Sequence, residues 1–199
     1  MTIDTMTTPA HRKLSSAETA KVISVLTDAF ADDPVIRWMY SGDETYRSAF
    51  PRFLRAFGGP AFDEGTVFLE RDRRAGAMWI APGSAPDDLA IQQCLLDTVA
   101  EDRQGDLFEV FGAMEAAHPR FQHWYLPWFG TDAAWQSQGV GGSFLERCLE
   151  FVDASHLPAY LETPNPRNIP FYERHGFRVI GQAQHGDCPP VGFMLREAR

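Results

Sequence analysis

The sequence feature that most constrains the fold is a regular alternation of strand and helix patterns over the last third of the chain. Strand patterns cover residues 123–131, 158–163, 177–182 and 191–196, and helical spacing of apolar residues covers 138–153 and 168–175. Two strands joined by a helix usually lie parallel in one sheet. The sequence therefore predicts an α/β (α+β layered) domain in which helices flank a mixed central sheet of about 6–7 strands.

The first two thirds of the chain contain helical patterns around one predicted hairpin. The helical patterns cover residues 16–30, 38–57 with a break near Ser41-Gly42, 87–100 and 106–117, and the hairpin strands cover 66–70 and 75–80. We expect the polar stretch 101–105 to separate the last two helices, and a short strand at 12–14. Residues 1–10 are expected to be a disordered tail, and no linker divides residues 11–199 into two domains.

Charge and composition argue against several classes of protein. The 199 residues carry a formal net charge of −9, so we expect no nucleic-acid partner, because phosphate binding rests on clustered Lys and Arg. The three cysteines are far apart and form no CxxC pair, which favours a reducing cytoplasm over a disulfide framework or a zinc knuckle. No apolar run approaches the roughly 18 residues of a membrane span, and the first residues lack the apolar region of a signal peptide, so no membrane partner is expected.

A glycine-rich turn joins the aromatic strand at 123–131 to the following helix. It reads Gln136-Ser137-Gln138-Gly139-Val140-Gly141-Gly142-Ser143. Glycines in the first turn let a ligand approach the backbone, where unpaired N–H groups suit a phosphate, although such a turn also serves as a tight connection without a ligand. The third glycine of a dinucleotide fingerprint is missing, and so is the Lys-Ser/Thr of a nucleoside-triphosphate loop. The turn therefore argues against a dinucleotide site and against a nucleoside-triphosphate site.

Two sequence motifs lie in the last third of the chain. The first is the Q-x-x-G-x-G of the glycine turn, and the second runs from Leu161-Glu162-Thr163 through Pro-Arg-Asn-x-Pro-Phe-Tyr-Glu-Arg-x-Gly-Phe to Phe177. In this order and spacing they resemble the two acetyl-CoA signatures of the GNAT (GCN5-related N-acetyltransferase) superfamily. The wording is closest to its puromycin N-acetyltransferase-like group. The resemblance is specific over residues 118–185 and diffuse before them.

The resemblance implies an acetyl-CoA site on a splayed pair of parallel strands. The backbone groups that would hold the pantetheine arm belong to Phe129, Gly130 and Thr131. One of their N–H groups would face the thioester oxygen as an oxyanion donor. The backbone of the turn from Gln136 to Ser143 would bind the pyrophosphate. Asn165 and Asn168 would contact amides of CoA, although either one could instead cap the helix that begins near Asn168.

The same resemblance implies that Tyr172 is the general acid, which gives a proton to the departing CoA thiolate. The alternative is that Phe171-Tyr172 only packs the helix. The general base is left open by the sequence. Glu162 is a tentative base, because a carboxylate in the middle of a strand is buried, paired or functional. A bridge from Glu162 to Arg167 or Arg174 is the structural alternative.

Other polar and aromatic residues are weaker candidates. Four acidic side chains of the first helices could attract a cationic amine or be simply solvated, and they are Asp28, Asp32, Asp33 and Glu44. His118 and His123 are interpreted as structural rather than as a base or a metal site, since no third ligand lies at suitable spacing. His175 is expected to complete the C-terminus of a helix. The aromatic residues that could line an acceptor pocket, most of them expected in the core, are Trp38, Tyr46, Phe50, Trp79, Trp124 and Trp128.

The resemblance predicts an N-acetyltransferase that moves an acetyl group from the co-substrate acetyl-CoA to a primary amine of a small molecule, by direct attack in a ternary complex. No metal is expected, and the oligomeric state, a homodimer included, is left open. The alternatives are a non-catalytic acyl-CoA-binding or protein-interaction module on the same fold, and a nucleotide-binding oxidoreductase. Ser137-Gln138 replace the Gly-Lys or Gly-Arg usual in the family, which should weaken capture of the CoA phosphates without removing the backbone cradle.

Overall fold

The fold is organised around one mixed sheet, seen in a computed structural model that describes residues 12–199. The strands are β1 Val67–Leu69, β2 Ala75–Ile80, β3 Trp124–Thr131, β4 Ala159–Thr163, β5 Arg178–Ala183 and β6 Val191–Arg196. Their order across the sheet is β1-β2-β3-β4-β6-β5, with β3 and β4 parallel and the other neighbours antiparallel. The predicted fold class is confirmed, with six strands. The predicted tail at 1–10 lies outside the described residues.

Seven helices are described along the same residues. They are α1 Ser16–Ala29, α2 Pro34–Met39, α3 Asp43–Glu64, α4 Asp88–Thr98, α5 Glu101–Ala117, α6 Val140–Asp153 and α7 Ile169–Arg174, with short 3-10 helices at Ala133–Trp135 and Pro166–Asn168. Local sequence explains several of their ends. Ser15 and Glu18 form a capping box at the start of α1. Gly65 ends α3 at a φ of 74°, a conformation that glycine adopts without steric cost.

Two local predictions from the sequence are wrong. Residues 12–14 form no strand, although the Arg12 N–H donates to the Gly65 carbonyl at 3.1 Å. The polar stretch 101–105 is not a break, because α5 begins at Glu101 and continues through Gly105. Glu101 and Asp102 occupy its first turn, where negative charge stabilises the helix dipole, so polarity there indicates a helix start rather than a loop.

The parallel strands β3 and β4 pair over a short stretch and then separate. Their register consists of Trp124 opposite Ala159 and Tyr125 opposite Tyr160. β3 continues to Thr131 and stays paired with β2 on its other side, whereas β4 continues to Thr163 paired with β6. Pro127 lies just beyond the last β3–β4 pair, and a residue without a backbone N–H is tolerated where the ladder ends. The two strands therefore leave a gap in the middle of the sheet.

The two faces of the sheet carry separate hydrophobic cores. On one face, which we call the α3 face, Tyr125 and Trp128 of β3 and Tyr160 of β4 belong to a core shared with helices α1 to α5. On the opposite face, which we call the α6 face, Leu126 and Leu161 pack with α6 and α7. The side chains of a strand alternate between the two faces, so each strand contributes to both cores. The gap between β3 and β4 connects the two faces.

Candidate active site

The far end of β3 borders the gap with unpaired backbone. Phe129, Gly130 and Thr131 pair with Ala77, Gly76 and Ala75 of β2, and no described strand pairs with them on the β4 side. A Cβ on Gly130 would lie 2.6 Å from the Cβ of Ala29, so α1 packs directly on the strand here. The predicted pantetheine-binding residues therefore lie on the strand edge that borders the gap.

The glycine turn brings the start of α6 against the end of β3. Gly139 is the N-cap of α6 with a φ of 82° and no side-chain cap, so the first backbone N–H groups of the helix lack an internal acceptor. A Cβ on Gly141 would lie 2.7 Å from the Thr131 Oγ1, which leaves no room for a larger residue. The Gln136 and Gln138 amides donate to the carbonyls of Thr131 and Ala134 at 3.0 and 2.9 Å and hold the turn. The predicted cradle is thus a helix start with free donors, a geometry that suits a phosphate.

Tyr172 lies on the α6 face, next to the end of β3. It is 7% exposed and packs against the rings of Phe129, Phe171 and Phe177 at centroid distances between 5.2 and 6.4 Å. Burial, with a smaller contribution from the charge of Asp33, raises the pKa of the Tyr172 phenol above its usual value. The phenol is therefore neutral at physiological pH and can donate a proton. α7 brings it to the strand end that was predicted to hold acyl-CoA.

The two candidate asparagines differ in what they do. The Asn165 Oδ1 accepts from the Arg167 N–H at 3.1 Å and caps the 3-10 helix at Pro166–Asn168. Asn168 precedes α7 in a helical conformation and makes no side-chain cap. The capping role considered for both residues therefore applies to Asn165, and its helix is the 3-10 turn rather than α7.

Glu162 lies on the opposite face from Tyr172, in the second half of β4. Its side chain is 7% exposed, and its Oε1 lies 3.7 Å from the Nδ1 of His118, so the alternative of a bridge to Arg167 or Arg174 is wrong. Burial and the Glu162 charge raise the pKa of both Tyr125 and Tyr160 above their usual values. The Tyr160 hydroxyl is buried without a well-aligned hydrogen-bond partner among residues 12–199.

His118 and His123 contact each other as well as the Glu162 region. Their Nε2 atoms are 3.0 Å apart, and the His123 Nδ1 lies 2.8 Å from the carbonyl oxygen of Phe121. Burial lowers the pKa of His123. The pattern of the sequence did not connect these histidines with Glu162, because α5 and the β3 start bring them together only in three dimensions.

A cavity of about 510 Å³ opens beside Glu162 on the α3 face. Its walls come from α3, from β3 and β4, and above all from α4 and α5, the helices inserted between β2 and β3. Its apolar lining includes Phe57, Ile91, Leu95, Phe108, Phe111, Met114 and Tyr125. Asp88, Glu115, Arg120, His118 and Glu162 supply charged or ionisable groups. The sequence predicted the inserted helices but gave no sign that they enclose a cavity.

The acidic residues near α1 and α2 have separate environments. Asp28 lies 3.7 Å from Arg47 in an exposed ion pair, and Asp32 and Glu44 are exposed. Asp33 is buried and caps α2, accepting from the N–H groups of Val35 and Ile36 at 3.1 Å. Burial raises the pKa of Asp33 to about 6. These carboxylates therefore do not form one cation-binding cluster.

Most of the candidate pocket aromatics belong to the core. Tyr46, Phe50, Trp79, Trp124 and Trp128 are buried, and Trp38 is partly buried against the α3-face core. His175 ends α7, and its Nδ1 lies 2.7 Å from the Phe171 carbonyl oxygen. Over residues 12–199, no group of three or more His, Cys, Asp or Glu side chains is placed to hold a metal ion. No helix in the described part of the chain is long and apolar enough to span a membrane.

The mixed sheet with its splayed parallel strand pair has counterparts among known proteins. The sequence profile of the acetyltransferase (GNAT) domain matches residues 93–179, which include α5, β3, the glycine turn, α6 and Tyr172. An uncharacterized N-acetyltransferase of Schizosaccharomyces pombe is 23% identical over 205 aligned residues, covering 94% of this chain and 83% of the relative.

Solved structures share the fold over almost the whole chain. One is described as histone acetyltransferase HPA2 and related acetyltransferase from Corynebacterium glutamicum, with 22% identity, a TM-score of 0.63 and coverage of 97% and 98% of the two chains. Another is arylalkylamine N-acetyltransferase 2 from Aedes aegypti, with 9% identity, a TM-score of 0.62 and coverage of 96% and 99%. Residues 93–179 are thus similar to the acetyltransferase (GNAT) domain, and the whole described chain shares the fold of these solved structures.

Proposed function

We propose that this chain is an N-acetyltransferase that transfers the acetyl group of acetyl-CoA to a primary amine of a small molecule, by direct attack in a ternary complex. The observation that carries the proposal is the arrangement around the gap between β3 and β4. Tyr172 and the start of α6 lie on the α6 face, and Glu162 and the cavity lie on the α3 face. Two substrates bound on opposite faces could meet in the gap.

The residues on the α6 face suit the acyl donor. Backbone N–H groups at the start of α6, in the turn from Gln136 to Ser143, would bind the pyrophosphate, and the backbone of Phe129 to Thr131 would hold the pantetheine arm and polarise the thioester carbonyl. Asn165 and Asn168 would contact amides of the same arm. Because the Tyr172 phenol is neutral, it could protonate the departing thiolate.

The residues on the α3 face suit the amine. The Glu162 carboxylate would hold the ammonium group and take a proton from it, so that a neutral amine attacks the thioester. The apolar wall formed by Phe108, Phe111 and Leu95 favours an acceptor whose amine is attached to a bulky apolar or aromatic body. The name of the mosquito relative, an arylalkylamine N-acetyltransferase, supports such an acceptor.

Direct attack is favoured because the described cysteines are unsuited to carry an acetyl group. Cys94, Cys148 and Cys188 are buried free thiols. Burial raises the pKa of Cys148 to about 12 and of Cys188 to about 11, so neither forms the reactive thiolate at physiological pH. Free thiols also fit the reducing cytoplasm that we propose as the location.

A ligand screen followed by an activity assay tests this function. Thermal shifts would be measured with acetyl-CoA, longer acyl-CoAs and NAD, and thiol release would then be followed with a panel of primary amines. We expect stabilisation by acetyl-CoA, none by NAD, and thiol release that is fastest with aryl-substituted amines. Tight CoA binding without thiol release for any amine would contradict catalysis and indicate a binding module. Stabilisation by NAD but not by CoA would indicate an oxidoreductase.

A further inference from the structure

A row of ionisable groups leads from Glu162 toward the surface. The Glu162 Oε1 lies 3.7 Å from the His118 Nδ1, and the His118 Nε2 lies 3.0 Å from the His123 Nε2. The far nitrogen of His123, its Nδ1, lies 2.8 Å from the Phe121 carbonyl oxygen at the protein surface. Glu162 and His118 both line the cavity proposed for the amine.

The Phe121 carbonyl, at the end of this row of groups, fixes the direction of the hydrogen bonds that His123 and His118 make. A carbonyl oxygen only accepts, so the His123 Nδ1 carries a hydrogen and donates to Phe121. Burial keeps His123 neutral by lowering its pKa, and its Nε2 is then an acceptor. The His118 Nε2 must therefore donate to it. A neutral His118 consequently presents a bare Nδ1 lone pair to Glu162, and a protonated His118 presents an N–H.

The surroundings place several other ionisable groups next to this pair. From β3 and β4 the Tyr125 and Tyr160 hydroxyls face Glu162, and burial together with the Glu162 charge raises their pKa values, so both stay protonated. From α5 and the following loop, Glu115 and Arg120 line the same cavity. The aromatic ring of Tyr160 lies 4.7 Å from the His118 ring and that of Tyr125 lies 4.9 Å from it. His118 is thus the one base among the described groups whose free nitrogen faces Glu162.

We propose that His118 receives the proton that Glu162 takes from the acceptor amine and passes it toward His123 and solvent. This inference rests on the proposed function and deepens it. His118 acts through Glu162 and does not touch the amine, so it is a positioning and relay residue.

The proton balance is simple. An N–H bond of the ammonium breaks and a carboxyl O–H forms on Glu162, leaving a neutral amine that attacks the thioester. The O–H then breaks as an N–H forms on the His118 Nδ1, and Glu162 is an anion again. His118 becomes an imidazolium, its Nε2–H bond breaks as an N–H bond forms on the His123 Nε2, and the His123 Nδ1–H bond breaks to release one proton to water. The distance of 3.7 Å must close in the complex, as catalytic hydrogen bonds often do when substrate binds.

Replacement of His118 by asparagine separates relay from alignment. In His118→Asn the amide can donate to Glu162 from the Nδ1 position but cannot take up a proton. We expect the kcat/KM for the amine to fall at least tenfold at pH 7, with the acetyl-CoA KM unchanged. The loss should shrink above about pH 9, because alkylamines with a pKa of about 10.4 then supply enough neutral amine from solution. His156→Gln, a substitution of a histidine that contacts the Arg199 carbonyl, is the matched control and should follow the wild type.

Two results of the rate measurement would overturn the relay. One is a pH–rate profile of His118→Asn that coincides with the wild type. The other is an equal loss at every pH, which would mean a purely structural role. If His118→Asn fails to fold, His118→Gln provides the second variant, and the same profile is expected of it.

Nitrogen-15 NMR of the histidine rings provides a readout that needs no activity. We expect neutral His123 as the Nδ1–H tautomer and His118 with a hydrogen on its Nε2. An Nε2–H tautomer of His123 would contradict the relay even in an enzyme that acetylates amines. The expected tautomers in a protein that transfers acetyl groups to no amine would instead contradict the proposed function and leave the relay without a reaction.

Discussion

Burial of Tyr172 suits the proposed role of this residue as a general acid. Its ring lies among other aromatic rings, and the raised pKa keeps the phenol protonated, so that its proton is available to a thiolate formed beside it. Sequence likeness identifies this tyrosine as a candidate. Its contact with Phe129 and the face of the sheet on which it lies are seen only in the three-dimensional structure.

Tyr172→Phe removes the proton donor while keeping the ring. We expect kcat to fall about a hundredfold or more, because general acid catalysis is typically worth that much, with the Kd for acetyl-CoA nearly unchanged. Turnover and acetyl-CoA titration measure the two quantities. Tyr40→Phe, which removes another buried hydroxyl bonded to Thr98 at 3.1 Å, is the control and should cost about 1 kcal/mol of stability without loss of rate. Equal turnover of Tyr172→Phe and wild type would rule out the acid role.

Asp33 makes the stability of the protein depend on pH. Burial raises the pKa of this carboxyl from 3.8 to about 6, so the folded chain binds the proton more tightly than the unfolded chain does. The free energy of unfolding should therefore fall as pH rises from about 4 to about 6, by roughly 3 kcal/mol from this residue.

Asp33→Asn should remove that dependence, because asparagine caps a helix nearly as well and does not titrate. The advantage of the variant over the wild type should grow between pH 4 and pH 7 in chemical denaturation experiments. A constant difference between the two proteins over this pH range would contradict the assignment.

At the scale of elements, the contact between α6 and β3 depends on glycine. Gly141→Val would push a side chain into Thr131, whose Oγ1 is 2.7 Å from the Cβ position. We expect the Kd for acetyl-CoA to rise at least tenfold, because the helix start and the strand end could no longer lie together. Isothermal titration calorimetry measures this Kd in the variant and in the wild type. Gly105→Ala in α5, where a Cβ meets nothing within 4 Å, is the control and should bind normally. Unchanged affinity of Gly141→Val would show that the cradle lies elsewhere.

The inserted helices α4 and α5 form most of the acceptor cavity. Gly112 lines the cavity, and a Cβ there meets nothing within 4 Å, so Gly112→Leu should fill space without a clash. We expect the KM for a bulky amine to rise several-fold while the KM for acetyl-CoA stays constant. Steady-state kinetics with each substrate varied in turn measures both. Gly105→Leu on the same helix, outside the cavity, is the matched variant. Similar effects of the two substitutions would contradict the cavity as the acceptor site.

Elements with a strong periodicity were predictable from the sequence, and the positions where elements meet were not. The strands β5 and β6, the glycine turn and α6 were predicted from strand patterns, glycines and an amphipathic stripe. The start of α5 at Glu101 was missed because a polar stretch suits both a loop and a helix start.

One half of the candidate site was predictable from the sequence and the other half was not. Its donor half is local in sequence, since residues 129–143 and 165–172 are two segments with recognisable wording. Its acceptor half is not, because Glu162, His118 and the cavity come together from α3, α4, α5 and β4. The sequence expectation that His118 is structural therefore omitted its contact with Glu162.

In the whole molecule, the two proposed substrate sites lie on opposite faces of one sheet. The gap between β3 and β4 would let the acyl donor and the amine occupy the protein at the same time. The net charge of −9 fits a cationic acceptor better than an anionic one. The raised pKa values of Cys148 and Cys188 make both thiols poor acetyl carriers, which favours the proposed direct reaction between the two substrates.

Initial rates with acetyl-CoA and an aryl-substituted primary amine, both varied, distinguish transfer in a ternary complex from transfer through an acetylated enzyme. A ternary complex predicts double-reciprocal lines that intersect, together with one mole of free CoA per mole of acetylated amine. Parallel lines would indicate an acetylated enzyme intermediate, and they would contradict the two-face arrangement of the substrates.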